Sequence, residues 1–385
     1  MQRQWHIMLL LAAALLASTC LLVAACSGPA AGHPDGARKD DAGAPPVAWA
    51  GKSEESPRLY PVWLRDKIGF IDNTGKLVIP PQFGGEYLWK GGEFSDGMAR
   101  TAVATLERPG YCCRFGYINA EGRVVVEPQY WEAEDFSEGL AAVLMEGRWG
   151  YIDKEGRTAL GPKWVAAHSF SEGLAWVYEQ GVGYGFIDRT GRMVFKLEGA
   201  TAPGEFHEGM ARVLIPPGGG TGHGDADREG RFGYGYIDRL GRLAIPGPFE
   251  KADDFSEGLS SVQVGSKWGY IDRTGRFALE PVYDSATPFH DGQATVATGG
   301  KYWFIDKTGK KVGECPPQSC DFHEGLAAFE SGGKWGYIDR SGRVVIKPKF
   351  FAAFDFSGGI AMVMLADKKM GYIDKTGKYV WKPSE

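Results

Sequence analysis

The sequence predicts an all-β fold, a tandem array of about nine three-stranded antiparallel meander units, and three observations predict it. A five-residue phrase recurs nine times, ending in Asp72, Asp153, Asp188, Asp238, Asp272, Asp306, Asp339 and Asp374, and once in Asn119. A second phrase, typified by Phe136-Ser-Glu-Gly-Leu-Ala141, recurs eight times, with its Phe at 94, 136, 170, 206, 255, 289, 322 and 356. Glycine supplies 56 of 385 residues, about double the usual ~7%, without the every-third spacing of collagen, so the chain turns often. Hydrophobic residues at 43% and aromatics at 13% suffice for a core. A net charge of -5 gives no strong drive toward nucleic acid, and no nucleic-acid partner is expected.

Residues 1–25 have the layout of an export signal: Arg3, an apolar stretch over 7–17, the polar pair Ser18 and Thr19, and a second apolar step over 21–25. An uncleaved membrane helix is the competing reading, because 7–25 is about long enough to cross a bilayer. Leu22-Val23-Ala24-Ala25-Cys26 resembles the lipobox of bacterial lipoproteins. That resemblance implies that the signal is removed, that Cys26 carries lipid, and, from Ser27 beside it, that the anchor lies in the outer membrane where the cell has one. Cys20 fits less well, because Thr19 precedes it. Residues 26–58 combine this cysteine with a stretch rich in Ala, Gly, Pro and charge, which reads as a disordered tether of about 30 Å by random-coil scaling. The β domain spans 59–385.

Within that domain the first phrase reads Trp149-Gly-Tyr-Ile-Asp153, Trp268-Gly-Tyr-Ile-Asp272 and Trp335-Gly-Tyr-Ile-Asp339 in its fullest copies. Its second residue is Gly in eight copies, with Trp303 the exception; its third is always Phe or Tyr and its fourth always Ile. A Gly follows three residues after the Asp, and the next residue is basic, from Lys76 to Lys378. Most spacings are 33 to 35 residues. These residues resemble the bacterial WG repeat, also called the KWG repeat, over nearly everything from residue 60 onward. The resemblance implies an all-β repeat array with binding or scaffold roles and no shared catalytic chemistry.

Each unit reads as a strand after the Phe-Ser-Glu-Gly phrase (Leu140-Ala-Ala-Val143), the Trp-Gly-Tyr-Ile-Asp strand, and a third such as Val344-Val-Ile346. Asp-x-x-Gly between the last two satisfies a type I turn, with Asp capping it and Gly left-handed at its end. The Gly inside the central strand implies close approach of a neighbouring strand or ring. So short a unit must bury its core against its neighbours. An open β-solenoid and a closed, propeller-like ring both meet that need. The open array is favoured, because propeller blades usually have four strands in about 40 to 45 residues.

The spacing from Phe to the next turn residue, normally 17 or 18, grows to 25 between Phe94 and Asn119 and to 32 between Phe206 and Asp238. Both insertions fall between the first and second strands. That edge is the candidate binding edge, with Arg108, Tyr111 and Arg114 in the first insertion and His223, Asp225, Asp227 and Arg228 in the second. No Gly-Lys-Ser/Thr follows the glycines at 218–220, so a phosphate cradle is excluded, and Asp225 and Asp227 lack the ligand ladder of a calcium loop. In an exported protein Cys315 and Cys320 are candidates for a local disulfide, while Cys112 and Cys113 are either a vicinal bridge or thiols. A zinc site from all four would require ring closure. His207, His290 and His323 replace Ser in the second phrase and read as solvated turn residues. The expectation is therefore a non-catalytic, lipid-anchored envelope protein without cofactor or metal, serving as a protein-interaction module. A glycan-binding module using Trp63, Trp89, Trp131, Trp164 and Trp176 is the alternative, and an envelope hydrolase on a repeat scaffold the third reading.

Overall fold

The computed structural model describes residues 58–64, 67–84, 87–88, 94–104, 113–216, 232–315 and 322–382, all within Lys52–Glu385. These residues contain no helix and form nine antiparallel sheets, the blades of a nine-bladed β-propeller. In chain order the blades occupy 60–84, 87–130, 140–164, 166–196, 206–249, 251–283, 285–315, 326–350 and 352–381. In every blade the spatial order of strands follows the sequence. Blade 3 is representative: Leu140–Met145 pairs with Arg148–Asp153, which pairs with Thr158–Trp164. The first two strands are buried and the third is mostly exposed.

Six of the nine sheets have a fourth strand, a two-residue segment such as Ala166–Ala167 against Tyr178 and Val177. In five of the six it lies in the stretch between the third strand and the next Phe, and in blade 5 it is Phe206–His207 itself, which explains how a unit of about 34 residues accommodates four strands. A unit of this length therefore does not require an open array.

The open solenoid is overturned by the contacts between the last blade and the first. Tyr372 donates its hydroxyl to the carbonyl of Pro61 at 3.0 Å, and Asn73 donates to the carbonyl of Gly358 at 3.1 Å. Arg58 reaches Ser357 Oγ at 2.7 Å, and the Tyr60 hydroxyl reaches the Ser357 carbonyl at 2.7 Å. Val62 and Ile71 of blade 1 share a buried cluster with Ile360 and Tyr372 of blade 9.

All nine junctions hold one aromatic pair. The Phe or Tyr of the central strand packs on the Phe that begins the next blade's turn, as in Phe70–Phe94 at 5.1 Å, Tyr117–Phe136 at 4.8 Å, Phe304–Phe322 at 4.5 Å and Tyr337–Phe356 at 4.9 Å. At the seam Tyr60 takes the place of that Phe, 5.7 Å from Tyr372. Where the central residue is Tyr, its hydroxyl bonds a carbonyl of the next blade: Tyr117 to Glu134, Tyr151 to His168, Tyr270 to Thr287. Burial pushes the Tyr117 and Tyr151 hydroxyls far up from their ordinary pKa, so they remain donors.

The central-strand Gly has a specific cause. In six blades the third strand bulges opposite it, and a Cβ on Gly336 would sit 2.4 Å from the Ile346 carbonyl oxygen, on Gly269 2.7 Å from that of Leu279. Blade 7 has Trp303 instead, and there the register is unbroken past that residue, Trp303 opposite Glu314 and Phe304 opposite Gly313, with the shift only between Phe304 and Ile305. Gly336→Ala is expected to cost about 1–3 kcal/mol in urea unfolding through this backbone clash. Gly161→Ala, where nothing lies within 4 Å, should stay within about 0.5 kcal/mol; equal effects would refute the bulge explanation.

Candidate functional site

Because the first and central strands are antiparallel, the start of one and the end of the other lie at the same end of a blade. The Phe-Ser-Glu-Gly turns and the Asp-x-x-Gly turns therefore share one face of the ring. Asp72 shows the second turn: its Oδ1 accepts from the N–H of Thr74 at 2.9 Å and of Lys76 at 3.0 Å, and Gly75 has φ 83°. The Thr74 hydroxyl, more than the two N–H groups, holds the Asp72 carboxyl below its ordinary value. Arg157, Arg192, Arg242 and Arg343 pair back onto the Asp of their own turns, with highly exposed side chains, so this basic row is locally neutralised and weakly held.

The Phe-Ser-Glu-Gly turns form a circuit from blade to blade. Ser95, Ser137, Ser171 and Ser256 each donate to the carbonyl of the next Phe at 2.6 to 2.7 Å. The acid of each turn, itself at φ near 53°, accepts from the Gly N–H of the next: Glu138 from Gly173, Glu172 from Gly209, Glu257 from Gly292. A basic residue directly after the repeat Asp completes the link, as in Lys154–Asp96 at 2.7 Å, Arg273–Glu208 at 2.8 Å, Lys307–Glu257 at 3.1 Å and Lys375–Glu324 at 3.2 Å. Sequence reasoning missed this base, although the position is basic in seven of nine copies. Its two exceptions, Asn73 and Ala120, are the signal that could have found it: the preceding blade offers no carboxylate, having Gly358 before Asn73 and, in the sequence, Pro57 before Ala120.

The histidines sit on the same face. His207 Nε2 lies 3.7 Å from Asp254, His323 Nε2 lies 3.5 Å from Asp355, and His290 stacks on His323 at 5.4 Å. His168 stacks on Trp176 at 5.2 Å and meets Glu205 at 2.8 Å. Burial alone would lower the His168 pKa, but Glu205 outweighs it and the net direction is upward. Among the described residues no three His, Cys, Asp or Glu side chains gather to hold a metal.

Where the first and last blades meet, a cavity of about 800 Å³ opens, lined from blade 1 by Arg58, Tyr60 and Trp63, from blade 9 by Asp355 and Met362, and from the neighbouring turns by Phe94 and Asp135. A smaller hollow of about 390 Å³ lies between blades 4 and 5, at Leu197, Ala200, Ile215 and Leu243.

Of the expected binding-edge residues only Arg114 is described: its guanidinium lies 4.0 Å over the Trp131 ring and donates to the Gln129 carbonyl at 3.0 Å. Arg108, Tyr111, His223, Asp225, Asp227 and Arg228 lie outside the described residues, as do Cys26, Cys112, Cys320, Trp89, the export signal and nearly all of the tether. Cys315 ends the outer strand of blade 7 opposite Tyr302, and Cys113 is buried. Trp164 is core at 2% exposure, whereas Trp63 lines the cavity.

A closed ring of small sheets, each completed by its neighbour, defines a β-propeller scaffold built from tandem repeats. The chain belongs to the family described as WG containing repeat, whose model matches 68–101, 115–149, 149–181, 184–215, 234–268, 268–302 and 335–368, more than half of the chain. Most of these matches run from the central strand of one blade to the first strand of the next, so the family unit straddles a junction. No curated protein matches the sequence. Among solved structures, a eukaryotic initiation factor shares the fold at TM-score 0.55 and 14% identity, over 85% of this chain and 95% of that one. BamB from Moraxella catarrhalis matches at 0.36 and 13%, over 80% and 94%. The WD40 β-propeller domain of Doa1 matches at 0.29 and 11%, over 61% and 89%.

The turn circuit carries a pH signature. Partial burial would raise the Glu208 carboxyl, but Arg273 and the Gly258 N–H outweigh it and hold it below its ordinary 4.5. Burial likewise opposes, and the N–H groups of Gly358 and Gly359 with Lys375 overcome, at Glu324. Such depressed carboxyls stabilise the ring fully above their unfolded value and cease to as pH falls through the lower folded one. The melting temperature should therefore fall on acidification from about pH 6 to about pH 3, with a shallower slope in the Glu208→Gln, Glu324→Gln double variant. Identical slopes would remove the circuit from the acid response.

Proposed function

We propose that this protein is a lipid-anchored envelope scaffold whose propeller holds a protein partner at the seam cavity. The observation that carries this reading is the cavity itself. It opens at the junction where the regular turn circuit is replaced by Arg58, Tyr60 and Asn73, and about 800 Å³ lies within the range of specific binding sites. The anchor follows from the Cys26 motif, and the tether gives about 30 Å of reach from the membrane. Catalysis is not part of the proposal, since the repeated Asp, Ser and Glu side chains serve the turns and blade links described above.

The test is capture from envelope extract by the full chain in detergent, comparing wild type, Met362→Trp, which fills the cavity from blade 9, and a chain shortened within 217–231. Capture should fall at least about fivefold in Met362→Trp and persist in the shortened chain. Capture that depends only on 217–231 would move the site to the insertion edge. Selective retention of cell-wall glycan in place of protein would replace the scaffold reading with a glycan-binding one.

A further inference from the structure

The residue directly before the repeat Phe is an acid at Asp135, Glu205, Asp254 and Asp355. At two of these an arginine from the first strand of the preceding blade supplies a cation: Arg100 Nε lies 3.4 Å from Asp135, and Arg212 Nε 3.7 Å from Asp254. In blade 4 Trp176 stands at the strand position of Arg100 and Arg212. Glu205 is met instead by His168, which stacks on the Trp176 ring at 5.2 Å and places Nδ1 2.8 Å from Glu205 Oε1. Nδ1 is shielded from solvent and not aligned with that oxygen as a directed hydrogen bond requires, so charge carries the contact. The groups facing His168 are Glu205 from blade 5, Glu134 from blade 3 and Trp176 from its own blade; burial opposes the imidazolium, and the two carboxylates outweigh it. The same junction is irregular in its packing. The connection 197–205 holds Ala202 at φ 46°, a conformation that an alanine rarely adopts, and the hollow of about 390 Å³ lies beside it at Leu197, Ala200, Ile215 and Leu243.

We infer that the junction between blades 4 and 5 is a pH-sensitive clasp: protonated His168 holds Glu205 and draws the two blades together, and loss of that proton loosens the junction at its hollow. The device goes beyond the scaffold reading and does not depend on what occupies the seam. Imidazole is the side chain that changes charge between about pH 5 and 8, so a link that arginine makes permanent at blades 3 and 6 becomes conditional here. An imidazole raised by its partner stabilises fully below its ordinary 6.5 and ceases to as pH rises through its folded value. The clasp therefore acts on the alkaline side of the range in which the carboxylate circuit weakens. The neighbouring junction is the internal control. His207 lies 3.7 Å from Asp254, but Arg212 meets the same carboxylate and stays charged when His207 does not.

The test is backbone hydrogen exchange of the full chain in detergent at pH about 6 and about 8, corrected for the pH dependence of intrinsic exchange. Peptides within 199–214 should exchange about threefold more slowly at the lower pH, and this difference should vanish in His168→Gln and in Glu205→Gln. Peptides within 250–264, from the Arg212-held junction, should show no such difference in wild type or in His207→Ser, which restores the residue found at most of these turns. A second readout needs no folded variant: the His168 imidazole of the wild-type chain, followed by NMR, should titrate above its ordinary 6.5. A midpoint at or below that value, a difference at 199–214 that survives both substitutions, or an equal difference at 250–264 overturns the inference.

Discussion

Each blade depends on an aromatic ring that it cannot bury by itself. A unit of about 34 residues has too little interior for the central-strand Phe or Tyr, which is covered by the Phe of the following turn at all junctions except the seam, where Tyr60 serves. Such a pair contributes about 0.5–1.5 kcal/mol beyond its buried area, and the hydrogen bond from Tyr to the next blade's carbonyl fixes its direction. Stability therefore resides in the junctions rather than in the blades, as in repeat proteins generally. An open array would leave one such ring exposed at its end, and closure through Tyr372, Tyr60 and Pro61 removes that exposed end.

The charged circuit on the turn face adds order to this apolar framework. Its members are partly exposed, so each ion pair stabilises little. The carboxylates also accept backbone N–H groups that a left-handed turn would otherwise leave to solvent, as Glu324 does for Gly358 and Gly359. The circuit is interrupted at the seam, where Gly358 replaces the acid and Asn73 the base. A junction closed by fewer repeated links has room for a cavity, and one of about 800 Å³ lies there. Cavity and irregularity thus coincide at the seam for a packing reason: fewer repeat residues fill that junction.

Much of the fold was legible in the sequence. Nine copies, three long strands per unit, the Asp-x-x-Gly turn and the close approach at the central Gly all follow from local rules of turn chemistry and pleat. The fourth strand was not legible, because two residues such as Ala166 and Ala167 have no period to read. The candidate site was scarcely legible. Trp63 stood out as an aromatic, but Asp135 and Asp355 look like any turn-flanking acids, and the insertions drew attention to the opposite end of the blades.

By itself the sequence determined the all-β class, the repeat, its family and the residues of every turn, because each is dictated by neighbours within a few positions along the chain. Only the tertiary structure decided that the array closes, and with closure where the cavity lies. Closure depends on the small rotation between successive blades accumulating to a full turn, a geometric sum to which no single repeat testifies. Its trace in the sequence is the matched loss of acid at Gly358 and base at Asn73, nearly the whole chain apart, which becomes meaningful once those two residues are seen to touch.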